Sequence, residues 1–209
     1  MNYGNLKTLV ESYIHRSTSQ IVANIPAWIN SAMHKLERRH NWACMEDEDT
    51  GSLNSATDYI TITTRYKNIK SFFIEYNDRW VELDRRNYRN LIRLFPDDDN
   101  SKSIPESYSV SRAKGKVLVR PYPDTTYNYE ITYRRYTADL SADIDTNFWT
   151  DNHYEILLYG ALLQGELFAE ADKIKWRNMY DEMVNELTVA EKEEEIEGSY
   201  QNIEYEDVV

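Results

Sequence analysis

The sequence contains one cysteine, six glycines and five prolines in 209 residues, and each scarcity removes a class of protein. The lone thiol, Cys44, forms no internal disulfide, which fits a reducing compartment or a particle assembled in one. Nothing around Cys44 carries the signature of a nucleophile, so it reads as an inert, partly buried thiol. So few glycines leave little material for a phosphate cradle, and no Walker loop, G-x-G-x-x-G or G-x-S-x-G is present. No apolar run approaches the ~20 residues that cross a bilayer. The opening Met1-Asn2-Tyr3-Gly4-Asn5 has neither a basic n-region nor an apolar h-region, so no signal peptide is expected.

Histidine is also sparse. Of His15, His34, His40 and His153, the pair His34 and His40 lies six residues apart, about 240° around a helix, which is the wrong geometry for joint ligation. With no H-E-x-x-H and no paired C-x-x-C, neither a metal nor a cofactor is expected. Carboxylates are plentiful, but they gather in loops and near the C-terminus. A glycosidase-like pair needs one acid buried and another kept ionised, and solvated surface charge is the simpler reading.

What the sequence does have is charge of one sign and tyrosine. The net charge is −12. Residues 188–209 hold eight acids against Lys192, a local −7 that leaves −5 for residues 1–187. Such a balance repels phosphates and argues against a tight grip on nucleic acid. Apolar residues make up 41% and aromatics 13%, enough for a folded core. The seventeen tyrosines offer large contact area at low entropic cost, as protein interfaces favour.

Periodicity gives the element order. Leu6, Leu9, Val10, Tyr13 and Ile14 form a helical stripe, broken at His15–Ser19. A second helix is expected to open near Pro26, with Ile25, Ile29, Ala32, Met33 and Leu36 as its apolar face and Lys35, Arg38 and Arg39 toward its negative end. Glu46-Asp47-Glu48-Asp49 and Thr50-Gly51-Ser52 read as an exposed connection. Short strands follow at Tyr59–Thr63, Ile69–Tyr76 and Trp80–Leu83, with Asn77-Asp78 as a hairpin turn. A short helix with Tyr88, Leu91, Ile92 and Phe95 on one face ends at Pro96, before a solvated loop at Asp97–Ser101.

The strongest strand signal comes next. Tyr108–Arg112 and Lys116–Arg120 form a hairpin around Gly115, closed by Pro121 and Pro123. Tyr127, Tyr129, Ile131 and Tyr133 then alternate with polar residues, so the tyrosines face inward. Lys114, Lys116, Arg120, Arg134 and Arg135 lie among these tyrosines; a stacking platform for nucleic acid is one reading, cross-strand pairing and a protein interface the favoured one. Helix resumes near Asp151, where Tyr154, Leu157, Leu158, Ala161 and Leu162 share a stripe and Gly160, Ala161 and Gly165 admit a close neighbour. A last helix carries Trp176, Tyr180, Met183, Val184 and Leu187, and is expected to end at Gly198 ahead of an acidic tail.

These elements predict an α+β protein. Its helical domain is made from residues 1–42 and 148–198, its β-rich insertion spans 43–147, and residues 199–209 form an extended tail.

Three stretches resemble the head-to-tail adaptor family of short-tailed and related bacteriophages. One is Leu6-x-x-Leu9-Val10, Tyr13-Ile14-His15-Arg16, then Ile25-Pro26, Trp28-Ile29 and Leu36-Glu37-Arg38. Another is Ile104-Pro105, Tyr108-Ser109-Val110, Gly115, Val117-Leu118-Val119, Pro121, Pro123 and Tyr129-Glu130-Ile131-Thr132-Tyr133. The third is Asn147-Phe148-Trp149, His153, Tyr154 and Leu157-Leu158-Tyr159-Gly160-Ala161-Leu162. The acidic loop at Asp97–Asn100 and the tail have no counterpart in the pattern.

The resemblance implies a structural, non-enzymatic neck protein of the virion, assembled in the host cytoplasm. It further implies a ring of about twelve copies between the portal protein and a tail or nozzle protein. Double-stranded DNA would pass through the ring without specific binding, and no membrane partner is expected. A stopper or tail-completion protein, or a carboxylate-based wall hydrolase, are the alternatives. Interface contacts are expected from Trp28 and Arg38 on the N-terminal helices and from Tyr129, Tyr133 and Arg134 on the insertion. In the tail they are expected from Tyr200, Ile203, Tyr205 and Val208.

Overall fold

The computed structural model describes residues 1–14, 18–57, 59–62, 64–96, 102–111, 115–169 and 173–201, with side chains for all of these except 166–169, 173–174 and 194–201. It is mixed α and β, with six helices and two four-stranded sheets among the described residues. Contacts gather into two units, Met1–Cys44 with Thr137–Val209, and Met45–Tyr136.

The first unit is helical. Helix α1, Tyr3–Tyr13, starts where the Asn2 side chain accepts the Asn5 N–H. The Tyr3 and Gly4 N–H groups donate to the carbonyls of Asp145 and Asp143. Two of the orphan donors of the helix start are thereby satisfied from a distant turn. Helix α2 spans Ser19–Arg39 with Thr18 as its cap, so it begins seven residues before Pro26, which lies inside the helix. A proline there removes the N–H that would reach back to Val22 and crowds the Val22 carbonyl with its ring, and the Thr18 cap and the apolar stripe on both sides of residue 26 together offset that cost. The stripe itself is as anticipated: Ile25, Ile29, Ala32, Met33 and Leu36 are all buried.

Helices α4, Phe148–Asn152, and α5, Tyr154–Ala169, are separate, with His153 in a non-helical conformation between them. Asn147 and Thr150 form a reciprocal cap at the start of α4, the arrangement that satisfies two orphan N–H groups at once. Helix α5 packs on α2 and on α6, Lys173–Gln201. A Cβ on Gly160 would sit 2.8 Å from the Ala32 Cβ, and one on Gly165 2.9 Å from the Trp28 ring, so the two glycines set the α2–α5 separation. Helix α6 runs through Gly198, where a stop was expected. A single helical glycine costs about 1 kcal/mol, too little to end a segment rich in Glu, a good helix former.

The second unit is built of β-strands. One sheet has the order β1-β8-β3-β4, and the other β2-β7-β6-β5. In the first are β1, Glu46–Leu53; β3, Tyr66–Tyr76; β4, Arg79–Glu82; and β8, Tyr127–Arg135. In the second are β2, Tyr59–Thr61; β5, Asp84–Arg85; β6, Ser107–Ser111; and β7, Lys116–Arg120. The short helix α3, Tyr88–Leu94, lies between β5 and β6 in sequence and buries Leu91. The core draws on both sheets, with Phe72, Ile74, Tyr108, Val117, Val119 and Ile131 among its buried members.

The Asn77-Asp78 turn has φ of 51° and 58°. Positive φ at both central residues is what a two-residue hairpin needs to match the strand twist, and Asn and Asp tolerate it. Gly115, at φ 62°, serves the β6–β7 hairpin likewise. Residues 46–52, expected as an exposed connection, are instead most of β1, fully paired with β8 from Glu46↔Arg134 to Leu53↔Tyr127. Acidic residues have poor strand propensity, but here Glu46 accepts from both Lys70 and Arg134 at 2.8 Å and Asp47 lies 3.4 Å from Arg135. Tertiary pairing overrides the local preference. The loop expected at Asp97–Ser101 lies outside the described residues.

Gly160→Val places two methyls where Ala32 leaves no room. Overpacking of this kind should lower stability by about 1–3 kcal/mol. Gly115→Ala, with nothing near its side chain, should cost only about 1 kcal/mol for its left-handed backbone. Thermal unfolding of the two variants checks the order.

Candidate functional site

The helical unit encloses a charged group, Glu37, fully buried on the inner face of α2. The Trp149 indole N–H donates to its Oε1 at 3.1 Å, and so does the Thr137 backbone N–H at 3.1 Å. Trp149 meets Trp42 edge to face at 5.6 Å, and the Trp42 indole N–H donates to the Leu36 carbonyl. His34 extends the network: its Nε2 lies 2.6 Å from Asp139 Oδ1 and its Nδ1 3.5 Å from Glu37 Oε2. Burying a carboxyl without donors costs several kcal/mol, so the residues around Glu37 are held to their places.

The chemistry open to this cluster is limited. His34 lies between two carboxylates, and among the described residues no hydroxyl or thiol is hydrogen-bonded to it. Among the described residues no three His, Cys, Asp or Glu side chains converge to hold a metal ion, and no helix is long and apolar enough to cross a membrane. Burial, with the charges of Glu191 and Glu37 adding to it, pushes the Cys44 thiol up to about 12. A thiol so shifted is a poor nucleophile. Burial also holds His153 below the ordinary histidine range, consistent with its place against Phe148 and Trp149.

Four of the basic residues singled out in the β unit are taken up locally. Arg134 pairs with Glu46 and Arg135 with Asp47. Lys116 sits over the Tyr59 ring, and Arg120, itself buried, lies against Tyr122. This is the cross-strand pairing favoured from sequence; Lys114 lies outside the described residues.

The residues expected at interfaces fall into three groups. Trp28 is 7% exposed and packs on Gly165. Tyr133 is 4% exposed, accepts from Thr64 and donates to Asp47. Tyr129 covers Gly51 on the neighbouring strand and reaches Asp49. These three side chains, with Arg134, are engaged inside their own unit. Arg38 stands exposed near the end of α2, with its Nε donating to the His34 carbonyl. Tyr200 is in α6, inside the stretch expected as tail, and Ile203, Tyr205 and Val208 lie outside the described residues.

Two surface features were not singled out from sequence. The β3–β4 hairpin presents Tyr76, Trp80 and Val81, with Trp80 51% exposed on a strand whose four residues are all exposed. Neighbouring Trp and Val point to opposite faces of a strand, so their joint exposure marks an open sheet edge, which periodicity alone does not reveal. The helical unit carries a groove of about 400 Å³ between α2, α5 and α6, bordered by Lys35, Arg39 and Arg177. Lys35 and Arg39 are one helical turn apart, whereas Arg177 is distant in sequence and only the fold brings it beside them.

Trp149→Phe removes one donor from Glu37 and should cost about 1–3 kcal/mol. In a double-mutant cycle with Glu37→Leu, chemical denaturation should return a coupling of about 1–2 kcal/mol; additive effects would deny the clasp. Cys44 should react with a thiol-alkylating reagent at about pH 8 roughly 100-fold more slowly in the folded protein than after denaturation, as read by mass spectrometry.

Buried polar groups are spent on holding the chain together, while Tyr76, Trp80 and the cations of the groove are left at the surface. Comparison with known proteins is consistent with that division. No match was found among curated proteins. The family model described as SU10 adaptor protein matches residues 1–202. The chain therefore belongs to the SU10 adaptor protein family, structural proteins of the phage neck.

Proposed function

We propose that the chain is a head-to-tail adaptor that assembles as a ring of about twelve copies beneath the portal and receives the tail below. The observation that carries this reading is the family match over residues 1–202. The surface supports it. Each unit offers a contact surface, the open edge of β4 with Trp80 and Val81 in one and the basic groove in the other, and a closed ring of identical subunits needs two different faces on each copy. The role is structural rather than catalytic, in keeping with a His34–Glu37 cluster whose hydrogen bonds run to Trp149, Thr137 and Asp139 of its own unit.

The net charge of −12 suits a passage for DNA, since a wall that repels phosphates lets the duplex slide. Residues 199–209, with Tyr200, Ile203, Tyr205 and Val208 as apolar anchors, are assigned a contact with a neighbouring neck protein.

Purified protein added to portal-bearing, tail-less heads should form a ring at the portal vertex, visible by electron microscopy. Protein truncated before residue 199 should be retained on those heads in lower amount. Heads that stay bare with the full-length chain, or clearing of peptidoglycan in a zymogram, would overturn the assignment.

A further inference from the structure

Each copy carries −12, so two copies repel at long range, and a stable contact between them requires opposite charge where they touch. The helical unit has both signs, on separate sides. The groove between α2, α5 and α6 is bordered by Lys35, Arg39 and Arg177, with Ala32 and Gly160 on its floor and Tyr180 on its wall. Among the described residues Lys35 and Arg177 have no ion-pair partner, and Arg39 pairs with Asp181 at 2.8 Å and hydrogen-bonds Tyr180. A guanidinium has five N–H donors, so most of that capacity is open.

The outer face of α6 has the opposite character. Glu182, Glu186 and Glu193 are all exposed, with no cation paired to them among the described residues. Glu182 and Glu186 are one helical turn apart, a like-charge spacing that destabilises a helix by a few tenths of a kcal/mol unless a cation offsets it. At 100° per residue, these three acids lie about 140–180° around α6 from Arg177. One helix therefore presents an acidic ridge on one side and borders a basic groove on the other. Val189, 54% exposed on the same outer face, adds an apolar contact.

We propose that the acidic ridge of α6 on one copy seats in the α2–α5–α6 groove of the next, setting Glu182 and Glu186 against Lys35, Arg39 and Arg177. The spacing agrees. Lys35 and Arg39 are four residues apart on α2, and Glu182 and Glu186 four apart on α6, so both pairs repeat at about 6 Å. Small residues on the floor admit the incoming side chains. The contact joins unlike faces, and repetition of such a contact closes a ring or extends a filament. This pairing rests on the adaptor reading and specifies which surfaces would join its copies.

The test is a charge swap on portal-bearing heads. One variant carries Lys35→Glu and Arg177→Glu, the other Glu182→Lys and Glu186→Lys. All four side chains are at the surface of the unit and outside the Glu37 network, and circular dichroism with thermal melting checks that both variants fold. Alone, each variant should be retained on heads at least about tenfold less than the wild type. An equal mixture should recover retention, because every groove then meets a ridge of opposite sign in an alternating ring. Wild-type retention by either variant alone, or no recovery in the mixture, would refute the pairing while leaving the adaptor reading intact. A wild-type chain that leaves heads bare overturns both.

Discussion

Glu37 accepts hydrogen bonds from residues a hundred or more positions away, and the helical unit depends on that contact. The unit is assembled from two pieces of chain separated by the whole β unit, and an apolar interface alone leaves the alignment of two such pieces loosely specified. A buried carboxyl is different, because its donors must be in place or the desolvation cost is uncompensated. By accepting from Thr137, the residue at which the chain re-enters the unit, and from Trp149 on α4, Glu37 fixes the returning segment against α2. Trp42 and His34 then pack around it, and Cys44 is shielded beside it.

A second constraint acts further along α2. Gly160 and Gly165 bring α5 against Ala32 and Trp28 with no space for a methyl group. A polar clasp at one end and a close glycine contact at the other define both the register and the separation of the helices. The groove of Lys35, Arg39 and Arg177 lies beside that close contact. Its position is thus a product of the packing, and its charges come from helices chosen mainly for their inward faces.

Most of the elements were legible in the sequence wherever one residue's neighbours decide its state. The apolar stripe of α2, the small residues of α5, the Asn77-Asp78 turn and the inward tyrosines of β8 all follow from local periodicity and backbone preference. The misreadings occur where a distant partner decides. Glu46 and Asp47 read as solvated acids until Lys70, Arg134 and Arg135 stand next to them on adjoining strands. Pro26 reads as a helix start because the stronger cap at Thr18 precedes a run of weak periodicity. Gly198 reads as a stop although its cost is small beside that of ending a favourable run of glutamates. The surface was hardest to read. The inward periodicity of Tyr129 and Tyr133 carries them to Asp49 and Asp47 on the adjoining strand. The exposure of Trp80 and the convergence of three cations in the groove depend on sheet order and helix packing.

The split of the helical unit across the chain has a consequence for synthesis on the ribosome. The chain emerges from its N-terminus, so α1 and α2 appear first and must wait, their apolar faces unmatched, until α5 has followed. The strands of Met45–Tyr136 contain their own pairing partners and can finish folding in the interval. The order of translation thus makes the interrupting piece the first to mature and the enclosing piece the last. Throughout that delay the nascent chain exposes the greasy side of α2, the stage at which a chaperone has most to protect.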